Sequence, residues 1–153
     1  MQAKVVKKEA FKAVGVKWIG TFEQAARGEI KTFHHEFLER KNQIKNAIEP
    51  ENILGLSYHN TEHGFTYYLA LEVKDTQSIP EEMEFITVPA YTFASLEYKG
   101  SAVHEAYTSL YTWVKEKGYT LIQNDLEHLE EYPGSFDPLK DAPELKIHIP
   151  IMI

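Results

Sequence analysis

Val14-Gly-Val-Lys-Trp-Ile-Gly20 runs without a break into Thr21-Phe-Glu-Gln24. Val14, Val16 and Trp18 alternate with Gly15 and Lys17, the period of a half-buried strand, so the segment from Val5 to Ile19 reads as one strand. Thr21, followed three residues later by Gln24, has the spacing of a capping box. Phe22, Ala26, Ile30, Phe33 and Phe37 then recur every three or four residues as one apolar stripe. One amphipathic helix is expected, ending near Arg40 or running on towards Ile44. Gly20 sits at the corner, where a residue without a side chain accepts backbone angles and contacts that others refuse.

Beyond Glu49-Pro50, the segments Ile53 to Tyr58 and Phe65 to Val73 read as two strands joined around His59-Asn-Thr-Glu-His-Gly64, a hairpin loop. The order is strand, helix, strand, strand, and it recurs. Tyr91 to Tyr98 is a strand, and Ser101 is expected to cap a helix whose Val103, Tyr107, Leu110 and Val114 share a face before Gly118 ends it. Leu126 to Tyr132 and Leu145 to Ile151 supply two further strands, separated by the turn-rich Pro133-Gly-Ser-Phe-Asp-Pro138. Trp18-Ile-Gly20 falls 80 residues before Tyr98-Lys-Gly100, each just ahead of a helix start. Tyr58 and Tyr132 likewise close equivalent strands, in an alignment that sets Leu56 against Glu130. The fold class is therefore α+β, with two tandem β-α-β-β modules, about 1–74 and 90–153, and a connector over 75–89. Each half would leave one face of a small sheet exposed, so the two are expected to pack as a single domain over 1–153.

A chain of 153 residues can bury about 70 % of its unfolded surface without a disulfide or metal. Its 16 Lys and Arg against 23 Asp and Glu give a net charge of −7, which disfavours phosphate backbones and anionic lipid surfaces. With no Cys, thiol nucleophiles, disulfides and cysteine-ligated metals are excluded. Neither an apolar signal core nor a membrane-length apolar run occurs, and a cytoplasmic location is expected. The seven His form no metal-ligand pattern: His59 and His63 lie in the hairpin loop, and His34 and His35 point apart on a helix. No phosphate loop or nucleophile elbow is present, and no cofactor or metal is expected.

Four stretches together carry a family resemblance: Thr92-Phe-Ala-Ser-Leu-Glu-Tyr-Lys-Gly100, the helix with Tyr111-Thr-Trp113, Leu129-Glu-Glu-Tyr-Pro-Gly134, and Leu145-Lys-Ile-His-Ile-Pro-Ile151. In this order they resemble the GyrI-like small-molecule-binding family, the effector-binding domain of bacterial transcription activators. The resemblance covers nearly the whole chain. It implies a pseudo-twofold antiparallel sheet with two main helices and a central ligand cleft. It also implies binding of bulky, planar, lipophilic and often cationic compounds, with the glutamate of a Glu-x-Tyr strand motif as the cation's partner, a position that falls on Glu130. Many relatives carry a helix-turn-helix, for which the module beginning at the first residues leaves no room, so a stand-alone binder without direct nucleic-acid contact is expected.

In a strand, Glu130 shares a face with His128 and Tyr132, and Glu131 shares one with Leu129. If Leu129 packs on the helices, Glu130 faces the other way, into the cleft. A carboxylate among aromatic rings is short of water and favours a cation that neutralises it. Trp18, Tyr98, Tyr58 and Tyr132 could stack on a flat ligand. Tyr68 joins them, since it faces away from Tyr67, Leu69 and Leu71; Leu56, Phe37 and Trp113 complete the expected lining. The leading expectation is a small-molecule binding protein. An alternative is a hydrolase of strained cyclopropane-containing genotoxic compounds with Glu130 directing a water, and a distant third is a gyrase-inhibitor-like interaction protein.

Overall fold

The computed structural model describes residues 2–59, 61–122 and 125–153. Nine strands run in chain order as β1 (Lys4–Lys8), β2 (Phe11–Thr21), β3 (Asn52–Tyr58), β4 (Gly64–Val73), β5 (Glu84–Val88), β6 (Tyr91–Lys99), β7 (Thr120–Leu121), β8 (Leu126–Pro133) and β9 (Glu144–Met152). Helices α1 (Phe22–Ala26) and α2 (Glu29–Arg40) follow β2, and α3 (Val103–Glu116) follows β6. All ladders are antiparallel, in the order β1-β6-β9-β8-β3-β4-β2-β5, with β7 on β9.

Sheet register displays the repeat more fully than the sequence does. Gly15 pairs with Ala70 as Ser95 pairs with His148, and Leu54 pairs with Ala70 as Leu129 pairs with His148. At the centre, Gly55 pairs directly with Glu130. The pseudo-twofold axis passes between these two strands, so Gly55 is the counterpart of Glu130, and Leu56 is the counterpart of Glu131. The alignment of Leu56 with Glu130 is off by one, and in a strand one position exchanges the faces.

Two elements are divided where continuity was expected. The first strand breaks at Glu9-Ala10, and its leading piece β1 pairs with β6 of the second half. Its counterpart β5, in the stretch taken for a connector, pairs with β2 of the first half. Each module thus lends one edge strand to the other. The first helix breaks at Gly28, whose φ of +100° is left-handed and ends α1 before α2 begins. The capping box at Thr21 and Gln24 forms as read, but Phe22 leaves the apolar stripe and is 49 % exposed.

All three helices lie on one face of the sheet. Under α2, Phe37, Ile53, Tyr67, Leu69, Leu71 and Val14 form one core; under α3, Ala106, Leu110, Val114, Leu145, Ile147 and Ile149 form another. Tyr132 touches both and marks the seam. The opposite face carries a third core that includes Val88 of β5, Phe93 of β6 and Leu129 of β8. Residues from strands so distant in the sheet order meet because the sheet curls, and the two-residue link from β5 to β6 closes the curl. Leu129 therefore packs inside the concave face, not on the helices as supposed.

Gly20 and Gly100 do equivalent work in the two halves. A Cβ on Gly20 would lie 2.4 Å from the Trp18 ring, and one on Gly100 would lie 2.7 Å from the Tyr98 hydroxyl. Each glycine lets the aromatic ring two residues earlier fold across the strand end towards the next helix. Trp18 Nε1 donates to Glu29 Oε1 in the first turn of α2 at 3.4 Å, and Tyr98 Oη accepts from the Ala102 N–H at 2.8 Å. Ala102, not Ser101, is the N-cap of α3 and has no side-chain cap of its own. The Tyr98→Phe variant is accordingly expected to lower stability by about 1 kcal/mol in urea unfolding, the size of a lost cap; an unchanged midpoint would show the hydroxyl to be idle.

Candidate functional site

Glu130 projects from β8 on the helix side, at the seam between the two cores. Its Oε1 accepts from the Tyr67 hydroxyl at 3.1 Å and the Tyr132 hydroxyl at 2.9 Å, and its Oε2 accepts from the Tyr107 hydroxyl at 2.5 Å. The donors come from β4, β8 and α3, so both halves contribute. No ion pair among the described residues involves Glu130; those of the neighbouring acids go to Glu131, Glu97 and Glu127. Burial, reinforced by the Glu130 charge, pushes all three phenols well above their ordinary value, with neighbouring phenols adding to this at Tyr67 and Tyr107. They stay protonated and keep donating.

Aromatic side chains surround this cluster. Phe33 lies edge-on to Tyr67 at 6.3 Å, and Tyr132 stacks on Phe136 at 5.5 Å with 9° between the planes. His34 meets Tyr132 edge-on at 4.8 Å, and His128 lies 4.6 Å from the Tyr107 ring. Neither imidazole offers Glu130 a positive charge at neutral pH. Desolvation holds His128 down to about 3 and His34 down to about 4, and His128 Nε2 stands 2.6 Å from the Tyr111 hydroxyl in a hydrogen bond.

Of the residues picked from the sequence, Glu130 and Tyr132 come together directly. Trp18 stands on the same face, paired across the strands with Tyr67 and packed on Phe65. Tyr98 also stands on that face, and with Tyr132 it borders a cavity of about 380 Å³. Phe37 is fully buried beneath α2, and Trp113 packs against Tyr119 and under the Lys117 ammonium near the end of α3, away from Glu130. Tyr68, Tyr58 and Leu56 belong to the concave core on the opposite face, Tyr58 and Tyr68 being edge-on to each other. The expectations for Tyr58 and Leu56 follow from the repeat alignment that is off by one, and that for Tyr68 from the premise that Glu130 faces away from the helices. Glu130 and the helices share a face, and Tyr67, not Tyr68, stands beside Glu130 there. Tyr107 was legible as part of the α3 stripe, but nothing local distinguished it from plain core.

Glu131 turns to the concave face. Its Oε2 accepts from His148 Nε2 at 2.5 Å and lies 3.6 Å from Lys8 Nζ, while Oε1 accepts from Asn52 at 2.9 Å. Burial opposes its charge, but His148, Asn52 and Lys8 together hold the carboxyl down to about 2. Among the described residues, no group of three or more His, Asp or Glu is disposed to hold a metal ion, and no helix is long and apolar enough to cross a membrane.

Two pseudo-symmetric halves sharing one curled antiparallel sheet, with a carboxylate at the axis between their helices, define an α+β class built around a central seam. The chain belongs to the GyrI-like family: the profile of the GyrI-like small molecule binding domain matches residues 1–153. The transcriptional regulator BrlR of Pseudomonas aeruginosa is 26 % identical over 159 residues, covering 99 % of this chain and 56 % of its own length. The chain thus spans about half of that relative. Among solved structures, SAV2435 bound to tetraphenylphosphonium is similar with a TM-score of 0.76 at 15 % identity, over 99 % of this chain and 94 % of that one. A hydrolase from Listeria innocua is similar with a TM-score of 0.61 at 8 % identity, over 99 % and 92 %. At such identities the two structures speak for the fold alone.

Proposed function

We propose that this domain binds lipophilic organic cations at the seam, with Glu130 as counter-charge and the rings of Tyr67, Tyr107 and Tyr132 as walls; Trp18 and Tyr98 flank it. The observation that carries this reading is a carboxylate held only by neutral hydroxyl donors. Phenol dipoles keep the charge in an aromatic setting but do not cancel it, and a large, weakly hydrated cation cancels it at little desolvation cost while stacking on the rings. A small, strongly hydrated cation gains less. That SAV2435 binds tetraphenylphosphonium is in keeping with the reading.

Hydrolysis at Glu130 is less well supported. A carboxylate has about four lone-pair positions, three of them filled here by phenol donors, which leaves little to direct a water. The test is a titration of wild type and Glu130→Gln with tetraphenylphosphonium and with neutral triphenylphosphine oxide, followed by the emission of Trp18 and Trp113 and by calorimetry. Wild type is expected to prefer the cation, and the variant to lose at least tenfold, about 1.4 kcal/mol. Equal affinity of the two proteins for the cation would remove Glu130 from the site.

A further inference from the structure

Behind the Glu130 site, on the concave face, lies a buried polar trio for which the cation-binding reading has no use. Ser95 of β6 and His148 of β9 are cross-strand partners, 3 % and 4 % exposed. Ser95 Oγ stands 2.6 Å from His148 Nδ1, and His148 Nε2 stands 2.5 Å from Glu131 Oε2. A carboxylate accepts only, so Nε2 carries the proton it donates to Glu131; in the neutral ring this leaves Nδ1 as the acceptor of the Ser95 hydroxyl. That is the tautomer in which an imidazole can take a proton from a serine.

The first half of the molecule supplies an internal control. The counterparts of Ser95, His148 and Glu131 are Gly15, Ala70 and Leu56. There the backbones close so tightly that a Cβ on Gly15 would lie 1.9 Å from the Leu69 carbonyl oxygen. The strand arrangement therefore stands without a polar trio at this place. In the second half, a cavity of about 550 Å³ is lined by Ser95, His148 and Glu131, by the cationic Lys4, Lys8 and Lys146, and by the acidic Glu97.

We infer that Ser95, His148 and Glu131 form a second functional site, separate from the Glu130 seam, that transfers acyl groups from small carboxylic esters. Ser95 Oγ bonds to the ester carbonyl carbon as its proton passes to His148 Nδ1, and Glu131 steadies the imidazolium through Nε2. Lys8 already pairs with Glu131 and Lys146 with Glu97, so Lys4 is the lysine left to supply positive charge for the oxyanion. The carbon–oxygen bond to the alcohol then breaks, and the alcohol leaves with the proton from Nδ1. Water adds to the acyl-serine, giving a proton to Nδ1; the acid departs, and the proton returns to Ser95.

The full chain is treated with diisopropyl fluorophosphate and mapped by tandem mass spectrometry, and turnover of p-nitrophenyl acetate is followed in parallel. One phosphoryl adduct is expected on Ser95 of the folded wild type. The folded Ser95→Ala variant, which deletes one oxygen, is expected to lose the adduct and at least about 100-fold of the saturable turnover, the range of a lost nucleophile and base pair. Wild type without an adduct on Ser95 overturns the site whether or not any variant folds, as does saturable turnover unchanged in Ser95→Ala. Cation binding at Glu130 is measured separately and stands or falls independently.

Discussion

Replacing Gly55 with valine is expected to destabilise the protein by about 3 kcal/mol and to abolish cation binding at the seam. Gly55 faces Glu130 across the pseudo-axis, and a Cβ there would lie 2.4 Å from the Tyr67 hydroxyl and 3.1 Å from Glu130 Oε1. Strand propensity alone predicts the opposite sign, since valine suits a central strand better than glycine by up to about 1 kcal/mol. Two larger costs act against it. Overpacking costs about 1–3 kcal/mol, and Tyr67, only 3 % exposed, cannot swing aside without surrendering its bond to the carboxylate, which adds about 1.5–3 kcal/mol. For a domain of this size the net loss lowers Tm by about 10 °C. The cause is checked by the pair Gly55→Ala and Tyr67→Phe: deleting the hydroxyl is expected to make the alanine cheaper, so the double variant is more stable than the sum of the singles allows. Additive effects would mean that Gly55 is required for some reason other than Tyr67. Two symmetry-related side chains at the axis would meet head-on, so one position must be empty for the other to be a glutamate.

The periodic elements were legible because they are local. Alternation around Val14, the capping box at Thr21 and the stripe of α3 each follow from neighbours a few residues apart, and Glu130 with Tyr132 could be read from one motif. What escaped depends on long-range closure. Nothing in Lys4–Lys8 says that it pairs with β6 rather than continuing β2, and nothing in Glu84–Val88 says that a stretch behind Ser78-Ile-Pro80 is the symmetric edge strand. The sequence shows two apolar faces on β3 and β4 without saying which one the helices cover, because the curl of the sheet buries both. Tyr67 against Tyr68 and the destination of Leu129 turned on that choice, and Leu56 against Gly55 on a one-residue slip in aligning the halves. Glu130-Glu131 shows the same ambiguity resolved: adjacent carboxylates serve opposite faces, one among phenols at the seam and the other bound to His148, Asn52 and Lys8.

Lowering the pH from 7 to 5 is expected to lower stability by about 4 kcal/mol through His34 and His128. Burial holds His34 down to about 4 and His128 down to about 3, and a nearby His59 adds to the latter. The unfolded chain protonates both near 6.5, so below that pH the unfolded state binds more protons than the folded one, and stability falls as pH falls. A pH of 5 lies about 1.5 units below the unfolded value of each imidazole, worth about 2 kcal/mol apiece. The drop continues to about pH 4 for His34 and pH 3 for His128. Glu131 acts in a different window: held to about 2, it stabilises fully above its unfolded value of 4.5, and that contribution is lost only as pH falls from there towards 2. Urea unfolding at pH 7 and pH 5 thus separates the histidines from Glu131. His34→Leu with His128→Gln, the amide keeping a hydrogen-bond partner for Tyr111, is expected to halve the drop at least. A wild type equally stable at both pH values would show that the rings are already protonated or freely hydrated in the fold, and would return a positive charge to the neighbourhood of Glu130. Because His128 touches Tyr107 and His34 touches Tyr132 but both rings stay neutral in the fold until the pH nears 4, they are expected to leave cation binding by the folded protein unchanged at pH 5.5, which the titration there would read directly.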